Sequence, residues 1–386
     1  MHYSPAHIYI HVPFCLKKCG YCDFYSVEDL SSMAAYVQSL CREIHLNTVS
    51  VETSPLKTLY FGGGTPSLLS PAMVEQILVQ IQDCHGLLPG CEITMEVNPG
   101  TVDGNYLSAI KDLGVNRLSM GIQSFDARRL AFLSRIHSVS QAVAAIEGAR
   151  MAGFDNLGLD LIYGLPGESF AIRGQEIDTA LSFAPEHLSC YMLTLEPGTP
   201  LFSAHAKKAF KAQGAELQTK AFLELGEFLE NRGYEHYEIS NFARRGYRSR
   251  HNSAYWKMIP YGAYGPAAHG LRINVEGLWE RYWNAPDTPG YINALASGLS
   301  APGGSEILTR DQQMIEWIMV GLRTREGIDI EAFDKCLKAD FKAGFSSLIE
   351  NLETQGFARC QSGFFHLTRA GWARLDNIVE SFFDVI

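Results

Sequence analysis

Three cysteines fall within eight residues, in the run Cys15-Leu16-Lys17-Lys18-Cys19-Gly20-Tyr21-Cys22. At that spacing one short loop can carry three thiolates, which suit zinc or an iron–sulfur cluster. A structural zinc site closes its tetrahedron with a fourth ligand. His11 and Asp23 stand nearby, but neither has a regular finger spacing. A cubane [4Fe–4S] cluster on three cysteines instead leaves one iron open, as a reactive centre requires. Spacing alone leaves both occupants in play and favours the cluster. The other six cysteines, Cys41, Cys84, Cys91, Cys190, Cys336 and Cys360, are scattered singly. That is no disulfide framework; a reducing compartment keeps such cysteines as small apolar core residues.

The bulk of the chain narrows the classes that could use such a loop. At 386 residues it has room for one barrel-sized domain and a smaller one. With 46% hydrophobic and 19% charged residues it fills a core and has no large disordered region. A net charge of −10 excludes general nucleic-acid affinity, which needs clustered positive charge. There is no apolar run long enough to span a bilayer, and MHYSPAHIYIHVPF lacks the basic start and continuous apolar stretch of a secretory signal. The expected location is the cytoplasm.

The elements that must position the loop follow a βαβα rhythm. Short β-branched runs at 7–12, 57–61, 92–97, 116–122, 156–163, 187–195 and 235–239 predict strands. Helical periods at 31–49, 71–83, 103–113, 140–152, 175–183 and 208–232 lie between them. This pattern predicts an α/β fold with parallel strands and helices packed outside, as a (β/α) barrel or an open doubly wound sheet. Six strands run into polar or glycine-rich clusters: HVPFC, GGGTPS, EVNPGT, GIQSF, DLIYGLPGE and TLEPGTP. Active sites of β/α barrels form at those C-terminal strand ends, so the clusters read as one composite site on a barrel. The expected parts are a barrel over 1–242, an irregular connecting segment over 243–304 with Pro302-Gly303-Gly304 as linker, and a module over 305–386. Helices at 309–322, 330–338 and 343–354, a hairpin at 357–367 and a last helix from Arg369 make the module winged-helix-like. Its nine Lys and Arg against thirteen Asp and Glu repel phosphate, so it reads as a lid or packing domain.

The run from Tyr9 through the cysteines to Phe24 resembles the signature of radical S-adenosylmethionine proteins, in the oxygen-independent coproporphyrinogen III dehydrogenase branch. The likeness continues through GGGTPS, EVNPGT, NRLSMGIQSF, LSRIHS and DLIYGLPGE into the C-terminal module, and so covers nearly the whole chain. It implies a partial (β/α)6 barrel of the TIM type whose cluster, on Cys15, Cys19 and Cys22, presents its open iron to S-adenosylmethionine. It implies that Tyr9 lies beside cluster and cofactor, and that Gly63, Gly64 and Thr65 approach the cofactor's amino-acid end. Glu96, Gln123, Arg135 and Asp160 match the remaining cofactor contacts.

Members of this branch divide between two activities. The dehydrogenase has a fourth cysteine two residues after the triplet and a longer N-terminal extension. Here that position is Phe24, and 14 residues precede Cys15. Both departures match relatives regarded as heme chaperones, of the HemW type, which bind heme and pass it to acceptor proteins. Arg250-His251-Asn252-Ser253-Ala254-Tyr255-Trp256 resembles the heme-binding signature of those chaperones. A neutral imidazole can ligate heme iron, Tyr255 and Trp256 offer flat apolar contact, and Arg248 or Arg250 could pair with propionates. Without the resemblance, a cluster of loop aromatics packing the segment is an equal reading. His11 and His269 read as structural. The expectation is a heme chaperone carrying a [4Fe–4S] cluster and S-adenosylmethionine, with heme-acceptor proteins such as respiratory-chain components as partners. The rivals are the dehydrogenase and another tetrapyrrole-acting radical enzyme.

Overall fold

The computed structural model describes residues 5–48 and 54–386. The first four residues of the N-terminal segment, and Val49 of the first predicted helix, lie outside them. In chain order the elements are β1 (His7–Val12), α1 (Met33–Thr48), β2 (Leu56–Gly63), α2 (Pro71–Cys84), β3 (Leu87–Val97), α3 (Gly104–Asp112) and β4 (Arg117–Gln123). There follow α4 (Ala127–Phe132), α5 (Val139–Met151), β5 (Leu157–Tyr163), α6 (Phe170–Ser182), β6 (His187–Met192) and α7 (Pro200–Ala206). Next come α8 (Ala215–Glu230), β7 (Glu235–Glu238), β8 (Asn241–Ala243), α9 (Arg250–Trp256), β9 (Gly262–Tyr264), β10 (His269–Ile273), β11 (Trp279–Asn284), α10 (Thr288–Ala296) and β12 (Gly303–Ile307). The last stretch holds α11 (Arg310–Gly321), β13 (Ile328–Asp329), α12 (Ile330–Leu337), α13 (Phe341–Gly344), α14 (Ser346–Thr354), β14 (Ala358–Gln361), β15 (Phe364–Leu367), α15 (Arg369–Trp372) and α16 (Leu375–Phe383).

These elements form two compact units. One runs to Gln213 and resumes over Pro260–Glu306; the other joins Gly214–Ile259 to Ile307–Ile386. The cuts differ from the three-part division at 242 and 304, because segments remote in sequence pack together.

The first unit is a partial β/α barrel. Strands β1 to β6 lie side by side in sequence order, every pairing parallel. β9 adds a further parallel strand on β1, with Ile8 opposite Gly262. Alternation along each strand separates two faces. Ile8, Ile10, Leu59, Phe61, Met95, Leu118, Met120, Leu157 and Leu159 are all fully buried on one face. The other face is polar: Tyr9 pairs with Tyr60, Tyr60 with Thr94, Glu96 with Ser119, and Asp160 with Ser189. The apolar face packs beneath the helices, so the polar residues point into the barrel.

Local chemistry starts the helices. Ser70 accepts from the Met73 amide with Pro71 at the first helical position, and Ser138 forms a capping box with Gln141. Ser169 caps α6, which therefore starts five residues before the sequence-based estimate of 175–183. The helix expected over 208–232 is shorter: α7 ends at Ala206, and α8 begins only after Gly214. Between them Gln213 donates to the carbonyls of Leu165 and Glu168, ending the first unit's chain on the loop after β5.

The segment expected to be irregular, 243–304, is mostly regular. It contributes α9 to the second unit, and β9, the β10–β11 hairpin, α10 and β12 to the first. Buried Glu43 of α1 anchors this addition, accepting from Tyr291 Oη (2.6 Å), Asn284 Nδ2 (2.6 Å) and the Gly265 amide (2.8 Å). Pro302-Gly303-Gly304 is not a linker: Gly303 and Gly304 open strand β12, which pairs with β11. A Cβ on Gly303 would stand 1.9 Å from the Trp283 carbonyl oxygen, and one on Gly304 2.8 Å from the Trp283 ring.

In the second unit, β7 and β8 form an antiparallel hairpin. Helices α11, α12 and α14 with the antiparallel β13–β15–β14 sheet bear out the winged-helix-like pattern. Phe333, Phe341, Phe365 and Phe382, all fully buried, form its core. Glu230 of α8 pairs with Arg369 and Arg325.

Gly303→Ala is expected to destabilise the protein by about 1–3 kcal/mol, because backbone must move to admit the methyl. A urea unfolding midpoint equal to wild type would restore the linker reading.

Candidate functional site

The cysteine loop leaves the C-terminal end of β1 and is tied down by backbone. The Cys15 amide donates to Val27 O (3.0 Å), and the Val27 amide donates to Pro13 O (2.7 Å). The GGGTPS loop after β2 lies against it: the Gly64 amide donates to Val12 O at 2.8 Å, and a Cβ there would meet Phe14 O at 2.6 Å. Gly63 has φ +107°, and its absent side chain leaves room for the His11 ring. The Gly63 amide donates to Glu96 Oε2 at 3.2 Å. These glycines therefore bring two loops together, and their amides already have partners inside the barrel.

Each sulfur has its own surroundings. Thr65 Oγ1 lies 3.5 Å from Cys15 Sγ, and Arg135 Nη1 donates to Cys19 Sγ at 3.3 Å. Burial, chiefly, raises the Cys22 thiol, the Phe24 amide opposes it, and Cys19 and Cys15 add to it. Among the described residues, no three His, Cys, Asp or Glu side chains converge as a single bound ion would require. Phe24 is 67% exposed and Leu16, within the triplet, is 47% exposed, so the loop carries an apolar rim.

Behind the loop the polar face converges. Tyr9, buried, donates to His11 Nδ1 (3.1 Å), while His11 Nε2 donates to Tyr25 O (2.9 Å), which sets the imidazole's tautomer. Burial, chiefly, holds His11 down at about 4, so it is neutral. Glu96 accepts from Tyr60 Oη at 2.9 Å. Burial, foremost, pushes its carboxyl up to about 7; nearby Asp160 adds to this and Arg117 opposes it. Asp160 accepts from Ser119 Oγ at 3.1 Å and is likewise raised by burial. Gln123 ends β4 at φ +66°, where the pairing with β5 slips register, and its Oε1 is buried without a partner. Strained backbone beside a bulge is a recurrent mark of functional positions. Arg135 donates to Gly121 O at 2.8 Å through Nη2, and its Nε is buried and unpartnered. All eleven residues expected for cluster and S-adenosylmethionine thus lie in the first unit.

Arg117 escaped the sequence reading. It is the largest fully buried side chain, and its charge counters both Glu96 and Asp160. The available signal was a charged residue in phase with Ser119, Gly121 and Gln123 on an otherwise apolar strand. Glu168 was also missed; it accepts the Gly164 amide at 2.8 Å and pairs with Arg173 at 3.3 Å, bracing the loop after β5.

The motif around His251 lies in the second unit. Ser249 caps α9, accepting from the Asn252 amide. His251 is 0% exposed, and its Nε2 lies 2.6 Å from Tyr255 Oη. Arg323, which pairs with buried Glu238 at 3.6 Å, lies over the Trp256 ring at 4.8 Å. Arg248 bonds Glu235 (3.0 Å) and Glu326 (2.7 Å). The motif is closed upon itself, with its imidazole turned inward.

Glu96 gives a pH signature in the folded protein. Its folded value of about 7 lies above the ordinary carboxylate value, so the native state holds the extra proton in between. The associated stability is complete at acid pH and lost as pH rises towards 7. Relative to Glu96→Gln, wild-type stability is expected to fall by about 2 kcal/mol from pH 5 to pH 8. Urea unfolding of both proteins checks this; parallel pH profiles would contradict it.

Comparison with known proteins agrees with this geometry. Residues 9–178 match the Radical SAM superfamily and residues 308–374 the HemN C-terminal domain. The chain is 35% identical to heme chaperone HemW of a Synechocystis species, over 84% of this chain and 79% of that protein. It is 32% identical to heme chaperone HemW of Bacillus subtilis over 94% and 95% of the two chains. The counterpart from Lactococcus lactis is 30% identical over 98% and 97%. The structure superposes on coproporphyrinogen III oxidase (HemN) of Escherichia coli with TM-score 0.81 and 21% identity, covering 99% of this chain and 91% of that one. The chain belongs to the HemW family within the radical SAM superfamily, on a partial β/α barrel with a HemN-type C-terminal module.

Proposed function

We propose that the protein is a cytoplasmic heme chaperone, binding heme and passing it to acceptor proteins such as respiratory-chain components. It would carry a [4Fe–4S] cluster on Cys15, Cys19 and Cys22, with S-adenosylmethionine beside it. The observation that carries the cofactor part is the pair of buried, unpartnered polar atoms, Gln123 Oε1 and Arg135 Nε, beside the loop of three cysteines. Buried polar atoms without partners are costly, and a polar ligand would satisfy them. The residues therefore fit the cofactor their family uses.

When bound, cluster and S-adenosylmethionine would supply one-electron chemistry. The chain's own residues have distinct tasks around them. Arg135 donates to Cys19 Sγ and carries positive charge to a carboxylate. Glu96 and Asp160 provide negative charge for the ribose or amine, and Arg117 beneath them limits the cost of keeping both ionised. Tyr9 packs between these groups and His11, while Gly63, Gly64 and Thr65 keep the two loops in contact. His251, Tyr255 and Trp256 are the heme-binding residues that the family signature suggests. For them to receive a macrocycle, the His251–Tyr255 bond must first open.

S-adenosylmethionine is cationic, so it should bind best when Glu96 is ionised. With its carboxyl at about 7, affinity is expected to weaken about tenfold from pH 8 to pH 6, and Glu96→Gln should abolish that slope. Calorimetric titration of reconstituted protein reads it. The chaperone reading is tested by anaerobic incubation with coproporphyrinogen III and S-adenosylmethionine: no decarboxylation is expected. Formation of protoporphyrinogen IX with release of carbon dioxide would make the protein an oxidase instead. Cys19→Ser should lose iron and sulfide in stoichiometric amounts; zinc without sulfide in wild type would overturn the cluster assignment.

A further inference from the structure

The first unit carries a second histidine–aromatic array, on a sheet that the sequence reading left as irregular chain. In the β10–β11 hairpin His269 pairs with Trp283, Leu271 with Arg281 and Ile273 with Trp279. These six residues therefore share one face. The opposite face, with Tyr282 and Asn284, turns toward the barrel: Tyr282 Oη accepts the Ala263 amide at 3.0 Å, and Asn284 reaches buried Glu43. On the first face Leu271 is buried, Ile273, Trp279, Arg281 and Trp283 are half-buried, and His269 is exposed.

Its features suit an iron tetrapyrrole. His269 is exposed, and among the described residues neither ring nitrogen has a hydrogen-bond partner. Its ring stacks against Trp283 with centroids 6.1 Å apart and planes 22° from parallel, so the indole limits imidazole rotation. Gly304 of β12 leaves the space in which the Trp283 ring lies. Partial burial, then the nearby Arg281 guanidinium, holds His269 below the usual imidazole value. The ring is therefore in its neutral, ligating form at physiological pH. Arg281 adds a positive charge beside the imidazole, and Trp279 a second indole. His269 also opposes protonation of His11, which places the array near the end of β1 where the cysteine loop departs. Buried His251, its Nε2 committed to Tyr255, offers no comparable open nitrogen.

We propose that this face of the β10–β11 hairpin is a heme-docking platform, with His269 as axial ligand, Trp283 orienting it, and Arg281 pairing with a propionate. The inference rests on the heme-chaperone reading and assigns the first heme contact to the barrel unit. Ligation needs no electron transfer: the imidazole lone pair displaces water or hydroxide from ferric heme.

Hemin is titrated into the full chain as wild type, His269→Ala and His251→Ala, with Soret absorption and low-temperature electron paramagnetic resonance as readouts. Wild type is expected to show a saturable Soret shift with an imidazole-ligated ferric signal. His269→Ala should lose that signal and bind more weakly by at least about tenfold, the lower end of what disturbing a ligand's support costs. Far-ultraviolet circular dichroism of His269→Ala should match wild type, which separates loss of the ligand from misfolding. His251→Ala should retain the imidazole signature. If wild type binds and His269→Ala matches it in both readouts, the platform is wrong and the chaperone reading stands. If wild type shows no saturable shift, heme binding itself fails, and the inference with it.

Discussion

The barrel interior holds charge where barrels commonly hold hydrocarbon, and most of the architecture follows from accommodating it. Arg117 is almost fully buried, and burial raises the carboxyls of Glu96 and Asp160 on the strands either side of it. Carboxylates drawn into a barrel favour their neutral form unless a cation and hydrogen bonds oppose it. Arg117 opposes that rise without cancelling it, since Glu96 still stands at about 7, and Ser119, Ser189 and Tyr60 donate to the carboxylate oxygens.

Charge inside the barrel forces the hydrocarbon outside. Ile8, Phe61, Met95, Leu118 and Leu159 bury against the helices and supply the stability that the polar lumen cannot. The rim is then built on a rigid frame. Gly64 brings the second loop within backbone contact of the cysteine loop, and Glu168 braces the loop after β5 from below. A site for a charged cofactor can be held this firmly because its supporting shell, unlike its rim, is closed to water.

The two units treat histidine and aromatic residues differently. In the second unit His251, Tyr255 and Trp256 are spent on one another and on Arg323. On the β10–β11 hairpin His269 is exposed and stacks on half-buried Trp283. The motif with the stronger signature is thus the less accessible of the two. Recognition of a bulky flat ligand begins with groups that need no rearrangement to meet it.

The order and direction of the strands were legible in the chain itself, since β-branched runs alternating with capped helices admit few topologies; all six barrel strands begin or end within two residues of their expected limits on at least one side. So was the cysteine loop, because three thiolates at short spacing need no tertiary information to imply a metal centre. The C-terminal hairpin at Ser362-Gly363 declared itself by its turn residues, both with positive φ. Tertiary structure alone decided the rest. Pro302-Gly303-Gly304 has linker composition, yet its glycines are there because Trp283 packs where side chains would be. Arg117 reads locally as an exposed charge opening a strand; only barrel closure, bringing two carboxylates from neighbouring strands upon it, makes it the counter-ion of the lumen. The same holds for the histidines: sequence marks their identity, but burial and partner, which decide whether a nitrogen can bind anything, belong to the folded chain.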